Sequence, residues 1–247
     1  MTYHAFHTHG ESRPGRWLVT CDHATNTVPP MVGGGTLGLP QSEMSRHIAY
    51  DPGAAGVAHA LADSLGATLV TSNFSRLVID PNRGEDDPTL LMKLYDGTII
   101  PGNRHADNGE LERRKELCYR PYHAELGRLA ASRDDTVIVA VHSFTPQLRG
   151  RAPRPWHVGV LHSPPHNALS LALIERLRTE GDICVGDNEP YFGHQPGDSI
   201  DRHALKHRRA HVLVEVRQDL IETVARQQFW GRRLAPMLAG ALADAHI

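Results

Sequence analysis

The sequence predicts an α/β layer fold built on a largely parallel sheet, and three observations lead there. Short β-branched apolar runs alternate with longer stretches of helical spacing. The strongest run, Thr136–Val141, is apolar throughout, as a strand buried on both faces should be. Several runs also deliver acidic or histidine residues to their ends, where such sheets gather their chemistry. There is no internal repeat and no linker, so residues 1–247 read as a single domain.

In chain order, Trp17–Cys21 is a short apolar run after polar residues, a candidate buried strand. Asp51–Leu65 sets Ala54, Val57, Ala58, Leu61, Ala62 and Leu65 at helical spacing, and Gly66 stands where a helix-ending residue belongs. Thr68–Thr71 follows as a strand, with Arg76–Ile79 as a possible third. Asp80–Asn108 is polar and turn-rich, and so long a stretch in a compact domain is usually functional. Gly109–Ser132 is helical with a kink or break at Pro121. Thr136–Val141 and Val158–Leu161 are strands, and Ala168–Arg178 is an amphipathic helix. Val212–Val216 is a strand that carries Glu215, and Leu220–Ala243 is a closing helix interrupted near Pro236.

Composition narrows the function. Hydrophobic residues make up 40% and charged residues 22%, enough for a full core at this length. The 26 basic and 28 acidic residues leave a net charge of −2, which argues against a general nucleic-acid or anionic-membrane binder. No apolar run approaches the roughly 20 residues that span a bilayer. Met1–Arg16 lacks the apolar core of a signal peptide, and Cys21, Cys118 and Cys184 read as reduced thiols, so the expected setting is the cytoplasm. Histidine is the outlier, with 17 residues, and it is the commonest metal ligand and acid/base side chain.

Candidate chemistry sits at three strand ends. The first strand runs into Asp22-His23, the strongest into His142-Ser143, and the late strand holds Glu215 near its end. A strand that delivers histidine to its own tip fixes a ligand well. Catalytic zinc takes three protein ligands and keeps an open position, so His23 and His142 call for an acidic third ligand. Asp51 is the best placed, although aspartate at a helix start is also a favoured cap. Asp22 and Asn26 are weaker candidates, because they neighbour His23. Neither an HExxH pair nor a zinc-finger cysteine pair is present, and neither Ser75 nor Ser143 sits in a nucleophile elbow.

Six phrases in order then form a resemblance: Cys21–Asn26, His47–Asp51, Phe74–Arg76 running to Asp80–Arg83, Val141–Ser143, Gly186–Tyr191 and Val214–Leu220. Together they resemble the N-formylglutamate amidohydrolase family, which is similar in fold to zinc carboxypeptidases and N-acetylmuramoyl-L-alanine amidases. The resemblance implies a three-layer α/β/α zinc amidohydrolase with one central mixed sheet. It also implies roles. His23 and His142 resemble zinc-ligating histidines, and Asp51 resembles the acidic ligand that opens a helix in the muramoyl amidases. The carboxypeptidase His-x-x-Glu pair is missing, because Asn26 stands at its second position. Glu215 resembles the catalytic glutamate, and Asn82-Arg83 resembles a pair that holds a substrate carboxylate.

The chemistry agrees with these roles. Zinc acidifies water and polarises a carbonyl, and a carboxylate such as Glu215 can take the water proton and return it to the leaving amine. Glu215 could instead pair with Arg217 on the same strand face. A substrate α-carboxylate calls for an arginine fork, from Arg83 or Arg76, either of which could instead form a structural ion pair. The His203, His207 and His211 cluster carries too many cations for a second metal site and reads as a solvated or anion-facing loop. The expectation is a zinc enzyme acting on a small N-acyl amino acid, with its oligomeric state open. The rivals are a muramoyl-peptide amidase and a non-catalytic metal-binding protein on the same scaffold.

Overall fold

The computed structural model describes residues 3–193 and 195–247. Its strands are β1 (Phe6–His9), β2 (Trp17–Cys21), β3 (Thr68–Ser72), β4 (Leu94–Tyr95), β5 (Thr98–Ile99), β6 (Val137–Phe144), β7 (Val158–Leu161), β8 (Val185–Asp187) and β9 (His211–Arg217). Its helices are α1 (Gln41–Met44), α2 (Ala54–Leu65), α3 (Asn108–Arg114), α4 (Arg120–Ala130), α5 (Ala168–Thr179), α6 (Ser199–His203) and α7 (Val224–Asp244). Seven strands form one sheet in the order β1-β3-β2-β6-β9-β7-β8. Pairing is parallel except for β1 with β3 and β7 with β9, so the sheet is mixed and largely parallel.

Side-chain alternation along the strands divides the core. Val137, Val139 and Val141 of β6, with Val212, Val214 and Val216 of β9, pack under α2, α5 and α7. Ile138 and Ala140, with Leu213, face the other way, against α4 and apolar residues of segments 28–50 and 74–100. The helices therefore flank both faces. His142 and Glu215 keep the parity of Ile138 and Leu213, so both enter the second face at the carboxyl end of the sheet.

Several expectations need correction. Arg76–Ile79 is not a strand: Ser75 captures the chain as a turn, accepting Val78 N at its carbonyl and Leu77 N at its hydroxyl. β1 and β8 have no counterpart among the expected strands, because each is short and carries little of the apolar signal. The β4–β5 hairpin was hidden inside the turn-rich segment. Neither proline ends its helix. A π-helical stretch, Lys115–Tyr119, precedes Pro121, which sits in the first turn of α4 where its missing N–H costs little. Pro236 lies within the continuous α7.

The histidine cluster is not a single solvated loop. His203 is buried at the end of α6, His207 is exposed, and His211 is buried as the first residue of β9.

Candidate active site

β6 runs three residues beyond its expected end, so His142 lies within the strand rather than after it. Its parallel register sets His142 beside Glu215. His23 follows β2, whose parallel pairing with β6 brings the two strand ends together. Asp51 arrives from the loop before α2, tied down by its own N–H donating to the His23 carbonyl at 2.9 Å. It does not cap α2. Gly53 holds that place in a left-handed conformation (φ 81°), and a Cβ there would lie 2.5 Å from the Ile221 carbonyl oxygen. The turn leaves the Asp51 carboxylate facing the two histidines.

His23, Asp51 and His142 are buried and offer ligand atoms within 4.8 Å of one another. Both Nδ1 atoms converge on Asp51 Oδ2, at 3.3 Å from His23 and 2.9 Å from His142. Adjacent ligands of a tetrahedral zinc stand about 3.3 Å apart, from bond lengths of about 2.0–2.1 Å. The Nε2 atoms turn outward, His23 to Asp80 Oδ1 at 2.7 Å and His142 toward Asp22 Oδ2 at 3.6 Å. Carboxylates behind both rings are the usual support for ligating histidines.

Asp80 thus orients the His23 ring from behind, while Asp22 faces His142 Nε2 from beyond hydrogen-bond reach, positions their sequence context does not reveal. Asp22 is held in turn by the Tyr122 hydroxyl from α4. Asp80 is gripped by the Arg76 guanidinium at 3.1 and 2.8 Å. Burial works against the charge on Asp22, yet His142 and His23 bring its carboxyl down to about 2. Burial opposes ionisation at Asp51 and Asp80 as well. His23 and His142 hold Asp51 below the usual range, and Arg76 and His23 do so for Asp80. His142 is raised despite its burial, by Asp22 and Asp51.

The donor set fits a divalent cation. Four buried carboxylates, Asp22, Asp51, Asp80 and Glu215, gather here with one buried guanidinium, Arg76, which bonds Asp80 and Asp51, and a divalent ion beside neutral histidines would offset the excess negative charge. Two imidazole nitrogens and one carboxylate oxygen are donors that zinc accepts.

Glu215 Oε2 is buried without a hydrogen-bond partner among the described residues, and burial, with Asp51 nearby, raises its carboxyl to about 7 against the pull of His142 and His23. It does not pair with Arg217, which bonds Asp219 and the carbonyls of residues 154–156. Glu189, another carboxylate near the sheet end, has an exposed side chain.

His23, Asp51, His142 and Glu215 line a cleft of about 340 Å³ whose wall also includes Asn82 and Arg83. Asn82 N donates to Asp80 Oδ1, so the wall and the support of His23 share one carboxylate oxygen. Arg83 is half-buried and reaches Thr89 and the Asn82 carbonyl, without an acidic partner at ion-pair distance among the described residues. Arg76 lines the cleft but is committed to Asp80 and Asp51, with Tyr95 stacked 5.4 Å from its guanidinium carbon. His47, Tyr95, Tyr191 and Phe192 also line it. Of these, only His47 and Tyr191 fell in the sequence phrases, without a role.

A family model described as N-formylglutamate amidohydrolase matches residues 15–222. A stretch of 77 residues is 38% identical to N-formylglutamate deformylase of Pseudomonas putida, covering 27% of this chain and 29% of that protein. The chain therefore matches less than a third of that relative's length. The crystal structure of a gene product from Agrobacterium tumefaciens is 33% identical, covers 98% of this chain and 96% of its own, and superposes with a TM-score of 0.91. N-formylglutamate amidohydrolase from Ralstonia eutropha JMP134 shares the fold at 20% identity and a TM-score of 0.61, covering 95% of this chain and 98% of its own.

Proposed function

The chain belongs to the N-formylglutamate amidohydrolase family, and from this we propose that it hydrolyses the amide bond of an N-acyl amino acid such as N-formylglutamate. One observation carries the reading. A buried His23–Asp51–His142 donor set lies in the same cleft as Glu215, whose buried Oε2 has no hydrogen-bond partner among the described residues, and Arg83, which has no acidic partner among them. An N-acyl amino acid needs these three features: an electrophilic centre for the amide, a base for water, and a cation for the free carboxylate.

His23, Asp51 and His142 would hold the metal, with zinc the ion that best suits the donors. Zinc, when bound, supplies a Lewis acid that polarises a carbonyl and acidifies water. Glu215 takes a proton from the attacking water and returns it to the leaving nitrogen. Asp80 keeps the His23 ring aimed, and Arg76 keeps Asp80 and Asp51 ionised and in place. Arg83, with Asn82 beside it, binds the α-carboxylate and so orients the acyl group toward Glu215. The substrate is a small molecule, in keeping with a cleft of about 340 Å³.

The test is formate release from N-formyl-L-glutamate by protein loaded with zinc, by protein stripped with chelator, and after zinc is restored. Release that follows the metal is expected. Its absence in zinc-loaded protein, with a panel of N-acyl amino acids also uncut, would reject the reading.

A further inference from the structure

We propose that His123 and His203 are positioning residues for the segment 81–83, acting as a neutral hydrogen-bonded pair beneath the cleft wall. This rests on the reading that Asn82 and Arg83 hold the substrate carboxylate. His123 comes from α4 and His203 from the end of α6, and both are buried. Their rings stack with centroids 5.2 Å apart and planes at 22°. His123 Nε2 lies 3.0 Å from the Pro81 carbonyl oxygen, and His123 Nδ1 lies 2.9 Å from His203 Nε2.

These contacts dictate the protons. A carbonyl only accepts, so His123 Nε2 carries hydrogen and donates to Pro81. In a neutral ring the other nitrogen is then an acceptor, so His203 Nε2 must carry hydrogen and donate to His123 Nδ1. The reverse order would set two acceptors face to face at Pro81.

Burial keeps both rings neutral, at about 3 for His123 and about 4 for His203. The charged and titratable groups around them are Arg202, Arg209 and His207, which also lower one or both, Asp22, which opposes them, and the Tyr119 and Tyr122 rings that pack on His123; His203 itself also lowers His123.

The rest of the segment is held from the same side. Ser199 Oγ donates to the Pro81 carbonyl at 3.4 Å, and Ser199 N donates to Asn82 Oδ1 at 3.3 Å. The Tyr119 hydroxyl donates to the Arg83 carbonyl at 2.7 Å and accepts from Arg202 at 2.9 Å. Across the segment, Asn82 N reaches the Asp80 oxygen that also meets His23. The pair therefore stands one carbonyl away from the wall. It sets the height of Asn82 and Arg83 over the cleft without touching substrate.

The test compares N-formyl-L-glutamate with its α-amide, first in the unaltered protein and then in His123→Phe, His203→Phe and His123→Gln. Phenylalanine keeps a ring and removes the hydrogen bonds, whereas glutamine restores one donor and one acceptor. Each Phe variant should raise KM for the free acid about three- to tenfold, the worth of one hydrogen bond. It should also shrink the preference over the amide while leaving kcat and zinc content near normal. His123→Gln should recover most of the loss.

A full free-acid preference in both Phe variants, with only the melting temperature lowered, would reduce the pair to packing and overturn the proposal. No preference in the unaltered protein would overturn the carboxylate reading beneath it, and the pair's role with it. If the Phe variants do not fold, ¹⁵N–¹H correlation of the ring nitrogens in the unaltered protein decides. Both histidines should appear as Nε2–H tautomers, and an Nδ1–H tautomer at His123 would reject the arrangement.

Discussion

Glu215 has a buried oxygen with no partner among the described residues, which in a structural residue would be a cost without return. Glu215→Gln keeps the shape and removes the base. Turnover should fall about 10²–10⁴-fold while zinc stays bound, read as kcat and metal content on the same samples. Near-normal kcat in zinc-loaded protein would move the base elsewhere, and loss of zinc would make Glu215 a ligand. Arg83→Ala should act on recognition instead. A desolvated ion pair to the substrate carboxylate is worth about 2–5 kcal/mol, so kcat/KM for the free acid should fall far more than for the α-amide. Equal losses on both would argue against a carboxylate contact. His142→Ala removes a ligand atom from the buried donor set, and elemental analysis should find no stoichiometric zinc. Full zinc in that variant would sink the site.

At the scale of elements, the site depends on one close backbone approach. Gly159 on β7 lies opposite Glu215, and a Cβ at Gly159 would sit 2.2 Å from the Glu189 carbonyl oxygen. The loop after β8 crosses the sheet end through that gap before it supplies Tyr191 and Phe192 to the cleft. Gly159→Ala must push the loop outward, and overpacking of this kind costs about 1–3 kcal/mol. Denaturant unfolding should show a loss in that range, and an unchanged midpoint would mean that the loop yields freely. The same scale separates what was legible from what was not. β2, β3, β6, β7 and β9 announced themselves because strands buried within the sheet are short, nearly continuous apolar runs. β1, β4, β5 and β8 have two to four residues each, too few for a period to register.

For the whole molecule, two linkages set stability. Zinc that binds only the folded chain should raise the melting temperature, by about 4 kcal/mol of stability at a thousandfold excess over its Kd. Calorimetry with added zinc and with chelator checks this, and coincident curves would argue against the site. The second linkage is with protons. His123 and His203 stand at about 3 and about 4 in the folded protein, against about 6.5 when unfolded. Above pH ~6.5 both are neutral in either state and their contribution is complete. As pH falls from ~6.5 toward ~4, only the unfolded chain takes up their protons, and stability drops by up to about 1.4 kcal/mol per pH unit for each. Unfolding free energies measured across that range should fall less steeply in His203→Phe, and identical slopes would mean that the ring is not held neutral.

Alternation along an apolar run assigns each side chain to a face, and the ends of the runs name what is delivered there. By itself the sequence therefore determined the α/β class, five of the seven strands of the main sheet and the presence of His23, His142 and Glu215 at the carboxyl side of the sheet. That information is local, carried by periods of two residues. Which strand lies beside which is a long-range matter, and only the tertiary structure decided that His142 stands beside Glu215. It likewise turned Asp51 from a possible cap into a partner of two histidines, placed Asp22 and Asp80 behind the rings, and committed Arg76 to carboxylates. It joined His123 to His203 across 80 residues of chain. A buried charge or imidazole must find its partner wherever the packed chain brings one, and no spacing along the sequence records that meeting.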